Sequence, residues 1–213
     1  MFINKHKILI FVLVTGFLPA ALQNSASSSQ QGGVIVVGTI SPDEAATLQY
    51  MREVEKLARD VYLAMYEKWR IPTFSNIASS EQCHMNAIKG RLDAYGLADP
   101  ALGVGKFTNP ELQALYQSLI ESGIVSELDA FWVGGLIEEV DIQDLKDALS
   151  GTNKTDLVRV YQNLMAASGN HLRAFATHIQ SYGLLYTSQY LSQEEVDQIL
   201  SGSTCKRGCQ GGR

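Results

Sequence analysis

Residues 41–202 predict an all-α fold: four long helices, one long connection between the second and third, and a short helix at the end. Three observations carry this reading. Helix-opening signals recur along the chain, each followed by a run without proline. Within those runs apolar residues repeat at alternating spacings of three and four. Nowhere in the body does the two-residue alternation of a strand appear.

Each element has its own justification. "SPDE" at 41–44 is a capping box with proline at the first helical position, and the helical pattern runs to about residue 69, before "RIP". A second helix covers about 73–95 and stops at Gly96. The connection at 96–125 carries glycine and proline turns and one short helix, capped by Asn109 and opened by Pro110. "SELD" at 126–129 caps a third long helix to about residue 149, and "SGTNKTD" separates it from a fourth at about 155–182. "SQEE" at 192–195 caps the final short helix, which ends near Gly202. The short links make each pair an antiparallel hairpin, and the long one lets the hairpins lie side by side with the two middle helices parallel.

Outside this body the chain reads differently. Residues 1–26 hold Lys5, His6 and Lys7, then an apolar run from Ile8 to Leu22, then small residues. That is the pattern of a secretory signal peptide, with cleavage near Ala21 or Ala26, and it implies a secreted or envelope location. The run is broken by Gly16 and Pro19 and is short for a stable span; an uncleaved anchor is the alternative. Residues 27–43 form a flexible leader, in which "VIVVGTI" is a short strand or an extended arm. Residues 203–213 form a glycine-rich tail containing Cys205 and Cys209, read as a disulfide or free thiols. Cys83 is a small packing residue beside His84.

The 213-residue chain is 46% hydrophobic and 18% charged, enough for a single domain of ordinary core size. A formal charge of −5, with no basic stripe, argues against nucleic-acid binding. There is no glycine-rich phosphate loop, no G-x-S-x-G elbow and no C-x-x-C pair.

The inner rows hold the functional signal. The first helix gives Leu48, Met51, Glu55, Ala58, Tyr62, Met65 and Trp69. The second gives Phe74, Ile77, Glu81, His84, Ile88 and Tyr95, with Leu92 adjoining. The third gives Phe131, Gly134, Glu138, Asp141, Leu145 and Ala148. The fourth gives Leu157, Tyr161, Leu164, Ser168, His171, Phe175, His178 and Tyr182. By contrast Glu53, with Gln49, Lys56 and Asp60, reads as a solvated face.

Each inner row is interrupted by polar residues near its middle: Glu55, then Glu81 and His84, then Glu138 and Asp141, then His171. Their convergence in one layer would bury carboxylates without a Lys or Arg on these rows to balance them, at several kcal/mol each. One or two divalent metal ions supply the missing charge, and oxygen-rich ligation with two imidazoles suits iron or manganese, with zinc an alternative. His178 lies two turns from His171, about 10 Å away, too far for the same ion.

On these residues the chain resembles the ferritin-like superfamily, and within it the rubrerythrin-type di-iron carboxylate bundles. "EKLARDVY" matches a Glu followed by Tyr at the seventh position (Glu55, Tyr62), "EQCH" matches Glu-x-x-His, and Glu138 or its neighbour Glu139 matches the third-helix Glu. "EKLARDVYLAMYEKW", "FTNPELQALY", "IEEVDIQDL" and "NHLRAF" look like a secreted microbial branch, a domain of unknown function. The resemblance covers residues 44–182. It implies a ferritin-like four-helix bundle with two iron ions, oxidising Fe(II) or reducing dioxygen or peroxide, with carboxylates that shift to hold both oxidation states. The fourth helix departs from the pattern: "SGNH" has Ser168 where a Glu is expected. Asp141 compensates, or the second metal position is weak or vacant. The alternative function is a non-catalytic interaction module with one metal or none, and a homodimer is compatible with either.

Overall fold

The computed structural model describes residues 38–202; the signal segment, the leader up to residue 37 and the Cys205/Cys209 tail lie outside the described residues. The described residues form six helices and no strand: α1 (Pro42–Trp69), α2 (Pro72–Tyr95), α3 (Pro110–Gly123), α4 (Glu127–Ser150), α5 (Thr155–Ser181) and α6 (Gln193–Ser201). None of them is long and apolar enough to cross a membrane.

Local chemistry sets the helix ends. The Glu44 N–H donates to Ser41 Oγ at 3.2 Å while the Ser41 N–H donates to the Glu44 carboxylate at 2.9 Å, so both halves of the capping box form. Asn109 caps α3 by accepting from the Glu111 and Leu112 N–H groups, and Ser126 caps α4 by accepting from Asp129. Ser192 and Glu195 repeat the reciprocal box on α6. α1 stops where Arg70 takes the left-handed conformation at φ 56°, an uncommon state for a residue with a Cβ. Pro72 then opens α2 at once.

Residues 70–71 join α1 to α2 and residues 151–154 join α4 to α5, links that allow only antiparallel neighbours. These are the two most closely packed pairs. α1 also packs on α4 and α2 on α5, which places the hairpins side by side, while α3 bridges α1 and α4 and α6 lies against α5. The core sits between the hairpins and is formed by the inner rows, from Leu48 and Ile88 through Phe74, Phe131 and Phe175. Trp69, Tyr95, His178 and Tyr182, the terminal members of those rows, reach the bundle ends and are only partly covered.

A layer of aromatic rings closes one side of the polar centre. Tyr62, Phe74 and Phe175 are in mutual contact with ring centroids 5.3 to 6.4 Å apart, and Phe131 stacks on Phe74 at 5.4 Å. Gly134 makes room for it: a Cβ there would lie 2.6 Å from the Phe175 ring.

The row of Glu53, Lys56 and Asp60 is not a solvated face. All three are buried, because residues 96–109 fold across the back of α1. Glu53 accepts the Thr108 N–H at 2.6 Å and the Asn109 N–H at 3.1 Å. Asp60 pairs with Lys56 at 2.5 Å and Arg59 at 2.7 Å, and accepts the Gly105 N–H at 2.9 Å. The Lys56 ammonium also lies 4.1 Å from the Phe107 ring centre. A connecting segment brings unpaired backbone donors with it, and this polar row satisfies them. Only half-buried Gln49 keeps some exposure, and its amide donates to Ala98 O.

Removing one member of such a buried pair strands the other. Asp60→Ala is expected to lower unfolding free energy by about 3–5 kcal/mol in urea denaturation. A loss below about 0.5 kcal/mol, the surface range, would mean this network is not what holds the connection to α1.

Candidate metal centre

All six residues of the interrupted inner rows are buried at one level of the bundle. α1 contributes Glu55, α2 contributes Glu81 and His84 one turn apart, α4 contributes Glu138 and Asp141 one turn apart, and α5 contributes His171. Their atoms converge on Glu81. Its Oε2 lies 2.7 Å from His84 Nδ1, and its Oε1 lies 2.7 Å from His171 Nδ1. His84 Nδ1 is also 3.1 Å from Glu55 Oε2, and His171 Nδ1 is 3.4 Å from Glu138 Oε2. The two imidazoles face each other with ring centres 5.6 Å apart.

This geometry divides into two trios that share one residue. Glu55, Glu81 and His84 form the first; Glu81, Glu138 and His171 form the second; within each, one ligand atom per residue lies within 4.8 Å of the others. Each ring nitrogen meets two carboxylates, yet a single N–H can serve one of them well. Satisfaction is incomplete: Glu55 Oε1 and Asp141 Oδ1 are buried without a hydrogen-bond partner, and the 2.7 Å approach of Glu81 Oε1 to His171 Nδ1 lacks hydrogen-bond geometry. Buried polar atoms are ordinarily paired. The carboxylate oxygens and ring nitrogens of the two trios form a donor set that could hold a cation.

The surrounding groups orient the set. Tyr62 donates to Glu138 Oε1 at 2.5 Å. Ser80 Oγ lies 3.0 Å from His171 Nε2, which leaves Nδ1 as the nitrogen facing the carboxylates. Asp141 lies outside both trios, with its Oδ2 accepting from Ser168 Oγ at 2.6 Å. Glu138 rather than Glu139 faces this cluster. Glu139 points away, and its carboxylate accepts from Tyr186 Oη and from the backbone N–H groups of Gln189, Tyr190 and Leu191. His178 stands apart, stacked on Phe131 at 4.4 Å and bonded to Thr73 at 2.7 Å. Tyr95 donates to Asp156 at the bundle end, and Cys83 belongs to neither trio. Sequence reasoning missed Ser80; a lone serine on a helix carries no signal of what its hydroxyl meets.

Residues 44–203 match the family model described as "Uncharacterized protein domain (DUF2202)". The chain belongs to the DUF2202 family. It is similar to "Uncharacterized protein MJ0754" of Methanocaldococcus jannaschii, with 48% identity over 167 residues, 78% of this chain and 90% of that one. It is also similar to the solved structure titled "Crystal structure of hypothetical protein MJ0754 from Methanococcus jannaschii DSM 2661". The TM-score is 0.76 at 46% identity, over 84% of this chain and 99% of that one.

In this DUF2202 chain the cluster's own groups offset their buried charge with protons. Burial raises the Glu55 carboxyl to about 8, against the pull of His84. Burial and the neighbouring carboxylates likewise raise Asp141 well above the usual range, and burial raises Glu138. Glu81 is the exception: burial pushes it up, but the two imidazoles outweigh this and hold it low. Burial disfavours protonated His171, yet Glu81 and Glu138 raise it to about 10, and Glu81 and Glu55 raise His84 in the same way. Lys56, the buried cation next to Glu55 in sequence, is committed to Asp60.

These shifts fix a pH dependence. The folded state holds protons that the unfolded chain releases, on Glu55 between its ordinary 4.5 and about 8 and on His171 between 6.5 and about 10. Both contributions are complete below the unfolded values and are lost as pH rises through the folded ones. Chelator-treated protein is therefore expected to melt at progressively lower temperature between about pH 6 and 9. Excess Mn(II) should flatten or reverse that slope, because ligands bind metal in their deprotonated forms. A melting temperature of chelated protein that rises over this range would contradict the assignment.

Proposed function

We propose that this protein is a ferritin-like bundle whose two trios hold a dinuclear iron or manganese centre, acting as an oxidoreductase on Fe(II), dioxygen or peroxide. The observation that carries the reading is Glu81: one carboxylate with an oxygen toward each imidazole, surrounded by buried donor atoms that nothing else satisfies. Zinc suits the same donor types, but a carboxylate-rich pair of positions favours the redox-capable ions.

Glu55, Glu81 and His84 would hold one ion, and Glu81, Glu138 and His171 the other. When bound, such a pair supplies Lewis acidity and one-electron redox chemistry. The protein keeps the ligands aimed inward: Tyr62 fixes the rotation of Glu138, and Ser80 fixes the ring of His171. The aromatic layer of Tyr62, Phe74 and Phe175 excludes water on one side. The signal-like residues 1–26 place this activity outside the cytoplasm in our reading. Ser168 favours a second reading, a non-catalytic interaction module with one ion or none, because α5 lacks the acid that α2 supplies at Glu81.

The test is elemental analysis of protein purified without chelators or added metal, with an optical spectrum. About two irons per chain, with near-ultraviolet absorption of bridged iron, is the expected outcome. His171→Ala should leave one ion, whereas Glu81→Gln should remove both. No metal in the wild-type protein after reconstitution with Fe(II) and Mn(II) would overturn the proposal; one ion would favour the interaction module.

A further inference from the structure

The two hairpins are near-equivalent halves around the centre, and they differ in an informative way. α1 contributes Glu55 and α2 contributes Glu81 and His84; α4 contributes Glu138 and α5 contributes His171. At the position one turn before the histidine, α2 has Glu81 whereas α5 has Ser168. At the position one turn after the glutamate on the first helix of each hairpin, α1 has Ala58 whereas α4 has Asp141. One half lacks an acid on its second helix and holds an extra acid on its first.

The two differences meet in space. Ser168, fully buried, donates to Asp141 Oδ2 at 2.6 Å. That is the short distance of a hydroxyl serving a carboxylate. Its other neighbour, the Leu164 carbonyl at 3.0 Å, is the usual resting partner of a helical serine. With Oδ2 held by Ser168, Oδ1 of Asp141 is left buried and unpartnered, in the field of Glu55, Glu138 and Glu81. Buried carboxylate oxygens are ordinarily paired, and this one is not.

We infer that Asp141 is the fourth carboxylate of the centre, carried by α4 in place of α5, and that Ser168 is its positioning residue, holding one oxygen so that the other faces a divalent metal ion. The inference rests on the metal-binding reading above. It makes the second metal position the work of α4, with Glu138 and Asp141 one turn apart, while α5 contributes only His171. The centre is thereby asymmetric: on the first side the acid and the imidazole share α2, and on the second they sit on facing helices.

Cobalt(II) titration of the full chain, followed by visible absorption and elemental analysis, tests it. Wild-type protein should take two ions. Asp141→Asn, which keeps the shape, should retain the first ion and weaken the second by about 10–100-fold. Ser168→Ala should weaken the second ion by about 10-fold, and Ser168→Thr, which keeps the hydroxyl, should restore it. The double variant Asp141→Ser/Ser168→Glu returns the acid to α5 and should recover two ions. An Asp141→Asn protein with both affinities unchanged would overturn the assignment while leaving the two trios standing. A Ser168→Ala protein that loses only melting temperature would overturn the positioning role. Failure of the double variant to recover the second ion, in a protein that melts like wild type, would overturn the exchange between helices. Wild-type protein that takes no cobalt would overturn this inference together with the metal reading.

Discussion

Four carboxylates and two imidazoles sit in the middle of a bundle packed mainly with aliphatic and aromatic side chains, and among the described residues their ion pairs are with one another. An ionised carboxylate in such a place is stable only beside positive charge. Everything else at this level of the fold answers that demand. Glu81 stays ionised because two imidazoles flank it, and the other acids take up protons where no cation reaches them. The pair of divalent ions we propose would meet the demand more completely, since it would satisfy the charges and the orphaned lone pairs together.

A second buried polar system lies on the opposite side of α1 and obeys the opposite logic. Lys56 and Arg59 both pair with Asp60, and the carboxylates of Glu53 and Asp60 accept backbone N–H groups of Gly105, Thr108 and Asn109. Nothing there asks for a ligand; the network fastens the long connection to the bundle. α1 therefore carries two buried acidic faces, one complete and one incomplete. That contrast separates a structural network from a candidate site more sharply than burial or charge does, because both faces are equally buried.

The long connection matters to the site through position. It lets the hairpins associate with α2 beside α5, so that Glu81 and His84 meet His171 with imidazole rings 5.6 Å apart. Ser80 on α2 then reaches His171 on α5, and Tyr62 on α1 reaches Glu138 on α4. The first hairpin thus orients ligands carried by the second, so the arrangement exists only in the assembled bundle.

The sequence by itself determined the helices, their caps and the rows that face inward. Capping boxes, prolines at helix starts and spacings of three and four are local signals, readable without knowing any neighbour. Because i and i+3 share a helix face whatever packs on it, the pairing of Glu81 with His84 and the inward placement of Glu55, Glu138, Asp141 and His171 were legible in the same way. The back of α1 was not. A polar row looks solvated until a segment distant in sequence lies over it, and periodicity carries no information about that segment. Glu139 could not be told from Glu138, since adjacent residues on a helix differ only in which partner each finds, and here Glu138 found the layer of Glu81 and the two imidazoles and Glu139 found residues 186–191. Ser80, and the bond from Ser168 to Asp141, were decided by tertiary structure alone: which lone pair meets which hydroxyl depends on how two helices approach, and that is set by the packing of the whole core.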